Sequence, residues 1–241
     1  MNRTKVIAMS DSWMTYVMDP DPWTPPKPLP GPVHTERLFI RPYQKGDGPA
    51  LFKAIDASRD SILPEMVWAF TDHQDIDDTI HYVESQRRDM EKESCRDFTM
   101  GIFDRNSGEI VGGTGLHRIR PEFREVEVGY WITGNREGQG LATEATGALI
   151  TAAFTPHSSG GWGFRRLLIF NAVHNPASRR VCEKLGLRLE MRLRQERYFG
   201  PPGVNSGYID MLGFAVLNDE WDASTHRAKP GIERYFRDFS C

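Results

Sequence analysis

The sequence has no long apolar run, no excess of charge of either sign and very little cysteine, and each lack removes a class of protein. No stretch approaches the ~20 apolar residues that a membrane-spanning helix needs, so no membrane span is expected. Lys and Arg number 30 against 33 Asp and Glu, a formal net charge of −3, without the basic excess or stripe of a nucleic-acid binder. The three cysteines, Cys95, Cys182 and Cys241, are odd in number and lack metal-ligand spacing. Neither a disulfide framework nor a metal centre is expected from them, and a reducing cytoplasm is the economical setting. The first nine residues carry positive charge but too few apolar residues for the core of a secretory signal. What is present, 39% hydrophobic and 26% charged residues in a chain of 241, suits a soluble globular protein of one domain with an appendage, or at most two small domains.

Residues 1–32 differ in kind from the rest. Seven prolines between Pro20 and Pro32 prevent regular helix or central strand and favour extended chain. Trp13, Tyr16 and Trp23 nevertheless give this arm apolar surface, so it is either a flexible tail or an arm packed on the domain or on a second subunit. From Val33 the pattern is regular, and a domain is expected over 33–220 with a tail at 221–241. Val33 to Tyr43 reads as a strand ended by Pro42, and Asp47 as the cap of a helix through Leu51 and Ile55. An amphipathic helix is expected over about 74–93. Strands at 97–103 and 110–117 flank the turn 104–108 as a hairpin.

The strand Glu125–Ile132 places Val126, Val128, Tyr130 and Ile132 on one face and Glu125, Glu127 and Trp131 on the other. It leads into the stretch Gly138–Ala153, a glycine turn opening directly into an alanine-rich helix. Its apolar positions, Leu141, Ala145, Ala148, Leu149 and Ala152, form one thin face. A near-continuous apolar strand at 165–173, of the kind covered on both faces, follows. Strand, helix and strand form a crossover unit, so the strands at 126–132 and 165–173 are expected to be parallel neighbours. Asn175, Pro176 and Gly186 supply the cap, first position and stop of a further helix. The alternation from Leu187 to Arg194 reads as a half-exposed strand pairing with one at 208–217.

The turn has chemistry of its own. The first N–H groups of a helix lack intrahelical partners, and the macrodipole gives that end about half a positive charge. Small residues at Gly138, Gly140 and Ala142 would let a phosphate approach the backbone. Taken alone, such a turn is more often simple loop geometry than a phosphate cradle.

Several separated features point the same way. The strand Glu127–Ile132, the turn Gly138–Ala145, the segment Asn175-Pro-Ala-Ser-Arg-Arg-Val-Cys-Glu-Lys-Leu-Gly186 and the strand around Asp210 resemble the GNAT superfamily of acetyl-CoA-dependent N-acetyltransferases. They look most like its branch that acetylates the N-termini of ribosomal proteins (Rim-type), over roughly residues 33–220. The superfamily's turn commonly carries Gln or Arg three residues before Gly140, where this chain has Glu137, with Arg136 just outside.

The resemblance implies an α/β fold: a mixed, mostly antiparallel central sheet of about seven strands, splayed at the cofactor slot and flanked by about four helices. It implies acetyl-CoA as cosubstrate, with the pyrophosphate on the backbone at Gly138, Gln139, Gly140, Leu141, Ala142 and Thr143. The pantetheine arm would run beside Trp131, Ile132 and Thr133 like an added strand. Asn175 would contact the cofactor and the Ser178 hydroxyl would protonate the CoA sulfur. Both residues equally suit plain helix capping. Glu127 is the expected base, directly or through water, with His117 and Tyr198 as rivals that read more simply as surface or packing residues. Asp210 reads as a structural hydrogen-bonding carboxylate and Cys182 as a buried thiol.

No nucleophile is placed as in an activated triad, so acetyl would pass directly to a primary amine. The acceptor is a protein N-terminus or a small amine. An aminoglycoside- or polyamine-type acceptor would require an acidic cleft, for which Glu65, Asp72, Asp75, Asp77 and Asp78 are candidates. A non-catalytic CoA-binding module is the remaining alternative. No nucleic-acid or membrane partner is expected, and the chain is a monomer or a homodimer.

Overall fold

The computed structural model describes residues 23–26, 31–63, 66, 68–200 and 207–229. Trp13, Tyr16, Glu65 and Cys241 lie outside the described residues. In chain order the strands are β1 (Val33–His34), β2 (Leu38–Pro42), β3 (Phe98–Asp104), β4 (Ile110–Arg120), β5 (Glu125–Ile132), β6 (Arg166–Ala172), β7 (Arg188–Phe199), β8 (Gly207–Leu217), β9 (Trp221–Asp222) and β10 (Arg227–Ala228). The helices are α1 (Gly48–Asp56), α2 (Arg59–Ile62), α3 (Trp68–Thr71), α4 (Ile76–Met90), α5 (Leu141–Phe154) and α6 (Pro176–Leu185).

Eight strands form one sheet in the order β1-β2-β3-β4-β5-β6-β8-β7. Every pairing is antiparallel except β5 with β6, the crossover carried by α5. The expected seven strands become eight because the first one breaks, leaving the two-residue β1 folded back on β2. The helices exceed the expected four through α2 and α3, single turns of four residues each between α1 and α4.

Two apolar layers sandwich the sheet. Under α5 and α6 lies the larger core, with Leu38, Phe98, Val126, Val128, Leu149, Trp162, Phe164, Leu167 and Ile169. Beneath α1 and α4, Leu51, Ile55 and Val83 pack on Tyr43, Phe103 and Ile110. Asp75 caps α4 by accepting from Asp78 N–H at 2.8 Å. Asp47, by contrast, does not cap α1: its carboxylate is taken by Arg41 at 2.6 Å and by Gln44 N–H at 2.7 Å. β6 alternates buried and half-exposed residues and is not covered on both faces.

The core reaches past both ends of the 33–220 span. Trp23 is buried, stacked on Phe164 at 4.6 Å, and its indole N–H donates to the Trp162 carbonyl. At the other end β9 and β10 form a small ribbon over the outer side of α5, where Trp221 Nε1 donates to Thr151 Oγ1 at 2.9 Å. This ribbon covers Gly147 through His226 and Phe154 through Trp221, so α5 buries more than its thin alanine face.

Candidate active site

The site begins where the sheet comes apart. β5 and β6 pair through only three residues, Glu125 with Arg166, Val126 with Leu167 and Glu127 with Leu168. Beyond that point the two strands diverge, and the β6-facing edge of residues 128–132 has no ladder partner. A charge cluster holds the vertex: Arg166 Nε donates to Glu125 Oε2 at 2.9 Å, its Nη2 to Glu190 Oε2 at 2.6 Å, and Arg120 reaches Glu125 Oε1 at 3.0 Å. Glu125 is therefore a buried structural carboxylate, unlike its neighbour on the same face.

Two cavities, of about 480 and about 450 Å³, open at the gap and share Met66, Tyr130, Trp131, Asn175 and Ser178. The smaller one carries the turn. Trp131, Ile132, Gly138, Gly140, Leu141, Ala142 and Thr143 line it, with Glu137 in the position of the family's Gln or Arg. Gly138 and Gly140 have φ of +73° and +79°, a left-handed backbone that bare glycine adopts at no steric cost. No side chain caps α5, so the turn's amides are not consumed locally. Arg136, Arg180 and Lys184 bring cationic side chains to the same wall.

Thr133 and Gln139 are not on that wall. Thr133 is buried with its N–H donating to the Val111 carbonyl at 2.9 Å. Gln139 turns its amide back to Asn135 O at 3.3 Å, and its own carbonyl accepts from Arg37 at 3.0 Å. Arg37 in turn donates to Glu144 at 2.6 Å, which fastens the β1–β2 connection to the first turn of α5.

Ser178 sits in the first turn of α6, at the meeting of the cavities. Asn175 Oδ1 accepts its N–H at 2.8 Å, so Asn175 is an N-cap and keeps its amide NH₂ for other partners. Ser178 Oγ lies 3.0 Å from Tyr130 Oη and 3.2 Å from the Asn171 side-chain amide. Burial pushes the Tyr130 phenol well above its ordinary pKa, which keeps it a neutral hydroxyl able to donate. Burial also pushes the Cys182 thiol up, to about 11, so it is no nucleophile.

The larger cavity has a different chemistry. Trp131, Trp68, His73 and Tyr82 form a run of rings with successive centroid distances of 6.3, 5.6 and 4.6 Å. Burial lowers the His73 pKa, and its Nδ1 is 3.0 Å from Thr79 Oγ1. Glu127 lines this cavity with Oε2 on Arg118 Nη1 at 3.2 Å, and His117 faces it beside Glu127, its register partner. Of the acidic candidates among the described residues only Asp72 lines it; Asp75 is spent on the α4 cap, and Asp77 and Asp78 are exposed in the first turn. Tyr198 is not on its wall: it is exposed and stacks edge-on with Tyr208 at 5.3 Å. Asp210 accepts from Gln195 N–H at 2.9 Å and Arg192 at 3.0 Å, bracing the bulge of β7.

The two cavities bring Ser178, Asn175 and Glu127 together with Tyr130, Asn171, Arg180 and Lys184, which the sequence pattern does not single out. Strand alternation puts Tyr130 on one face with Val126, Val128 and Ile132 and says nothing of its hydroxyl. Its ring packs against the main core while its hydroxyl reaches Ser178 at the start of α6, a contact that only the splay of β5 from β6 allows.

Comparison with known proteins agrees with this geometry. The RimL ribosomal L7/L12 alpha-N-protein acetyltransferase, solved in complex with coenzyme A, has a TM-score of 0.66 over 77% of this chain and 96% of its own, at 22% identity. Among curated sequences, YdaF of Bacillus subtilis, provisionally named a ribosomal N-acetyltransferase, is 34% identical over 48% of this chain and 57% of its own length. The ribosomal-protein-serine acetyltransferase of Escherichia coli is 32% identical over 46% of this chain and 56% of its own. The chain thus spans a little over half the length of these relatives. Residues 37–188, most of the sheet with α5 and α6, match the acetyltransferase (GNAT) domain, and the chain belongs to the GNAT acetyltransferase family.

Proposed function

We propose that this chain transfers acetyl from acetyl-CoA directly to a primary amine, by preference the N-terminus of a protein. The observation that carries the reading is the parting of β5 and β6 after Glu127 and Leu168, which joins two chemically different cavities at Ser178. The turn fits the cosubstrate: a β-carbon at Gly138 would meet open space, leaving a cradle of amides beside Arg180 and Lys184 for phosphate groups. Acetyl-CoA, when bound, supplies an activated thioester.

The amides of residues 138–143 hold phosphate oxygens. Trp131 and Ile132 flank the pantetheine arm along the open edge of β5, and the Asn175 amide steadies it. Ser178 Oγ–H, backed by Tyr130, delivers a proton to the departing sulfur. Glu127 and His117 stand on the opposite side, where an ammonium must lose its proton.

The larger cavity favours an acceptor with apolar surface next to its amine. Its rings offer apolar contact, while Asp72, Asp97 and Glu127 share the wall with Arg118 and Arg197, which leaves little net negative charge for an aminoglycoside or polyamine. The two described cysteines are free thiols, which fits a cytoplasmic enzyme.

The test is a thiol-release assay with acetyl-CoA against peptides with free N-termini, polyamines and aminoglycosides, with products read by mass spectrometry. Peptides acetylated at the α-amine are the expected result. Turnover confined to polyamines or aminoglycosides would replace the acceptor. Binding of CoA without turnover on any amine would leave only a CoA-binding module.

A further inference from the structure

We infer that His117, oriented by Asp97, is the general base that deprotonates the acceptor amine. The inference rests on the acetyl-transfer reading above. His117 Nδ1 lies 3.2 Å from Asp97 Oδ1. An ionised carboxylate only accepts, so in the neutral imidazole Nδ1 carries the proton and Nε2 keeps its lone pair. Asp97 is held ionised: chiefly the His117 hydrogen bond, then the Arg118 N–H, keep its pKa below the usual carboxylate value despite burial.

The backbone around the pair is built to aim the ring. β4 bulges between His117 and Arg120, and Arg118 takes φ of +46°, which turns its N–H onto the same Asp97 oxygen at 3.4 Å. Such a bulge re-aims a side chain. Gly115 and Gly129 are cross-strand partners, and together they leave a flat seat. A β-carbon at Gly115 would fall 2.6 Å from His117 Nε2, so the imidazole lies directly over this glycine pair, on the larger cavity. Glu127, the alternative base, already spends Oε2 on Arg118. The charged and titratable groups that share the cavity wall with the imidazole are Asp97, Arg118 on its own strand, Glu127 and Tyr130 on β5, and Tyr43, Asp72, His73, Tyr82 and Arg197.

The step balances as follows. His117 Nε2 takes one proton from the ammonium, and the freed nitrogen lone pair forms the C–N bond as the C–S bond breaks onto sulfur. Ser178 Oγ–H protonates the sulfur and is reprotonated by the second proton lost from nitrogen. The products are the amide, the CoA thiol and one proton, which His117 returns to water.

The experiment compares wild type with His117→Gln, Glu127→Gln and Asp97→Asn, using acceptors of different basicity, and adds nitrogen-15 NMR of the His117 ring. In wild type the rising limb of kcat with pH stays in place when the acceptor is changed. H117Q is expected to lose about 10²–10⁴-fold in kcat with little change in KM for acetyl-CoA, and its remaining limb to follow the acceptor's pKa. D97N loses less, and its ring loses the fixed Nδ1–H form that the wild-type neutral imidazole shows. An Nε2–H ring in wild type, or H117Q within about 3-fold of an active wild type while E127Q is the variant that loses its limb, overturns the dyad alone. A wild type that releases no thiol with any amine overturns the acetyl-transfer reading itself, whatever the ring shows.

Discussion

At the scale of single residues, the site turns on how few polar atoms meet at the splay. Ser178 is tied by its N–H to Asn175 and by its hydroxyl to Tyr130 and Asn171, so the hydroxyl is held in one place before any ligand arrives. Ser178→Ala removes the proton donor and leaves the cap intact, because the cap uses the backbone. A loss of about 10²-fold in kcat at nearly unchanged KM for acetyl-CoA is expected from initial rates, with a melting temperature close to wild type. Ser178 and Asn175 were legible in the sequence because helix starts have a local signature. Asp97 and His117 were not legible as a pair, since only the strand register and the bulge in β4 bring them together.

At the scale of elements, the cofactor turn is fastened at two points. Arg37 with Glu144 holds its far side, and Arg136 Nη2 on Asp104 Oδ2 at 2.8 Å ties it to the end of β3. The Arg136 guanidinium, with the N–H groups of Ser107 and Asn106, holds the Asp104 pKa down at about 2. Because the folded value lies below the ordinary Asp value of about 3.9, the tie is complete above that pH and is lost as pH falls toward the folded value. Asp104→Asn should weaken acetyl-CoA binding several-fold at pH 7, read by calorimetry, and should abolish the weakening on acidification between pH 4 and pH 2 that this pair contributes. Unchanged affinity would show that the turn is rigid without Arg136. The turn itself was legible, from glycine placement before an alanine-rich helix. Its anchors were not, because Arg37, in the β1–β2 connection, and Asp104, at the end of β3, are far from Gly138 in sequence and reach it only through the β2-β3-β4-β5 order.

At the scale of the whole molecule, the sheet is a brace with one deliberate fault line. The crossover β5–α5–β6 was readable from its alternation of periods, and so was the antiparallel pairing of β7 with β8. The contributions of the ends were not, because a proline-rich stretch and a polar tail carry no periodicity. Yet Trp23 fills a slot between Phe98 and Phe164, and Trp221 packs on Phe154. Trp23→Ala is expected to cost about 3–5 kcal/mol, seen as a melting temperature lower by roughly 10 °C, far above the effect of a surface residue. A shift under about 2 °C would mean that this end adds little to stability. The account's central claim is that both substrates are held at once across the β5–β6 gap and that acetyl passes between them without resting on the protein. Initial rates measured with acetyl-CoA and a peptide acceptor both varied test it most directly. Intersecting double-reciprocal lines are predicted; parallel lines, with an acetylated protein recovered after acetyl-CoA alone, would contradict it.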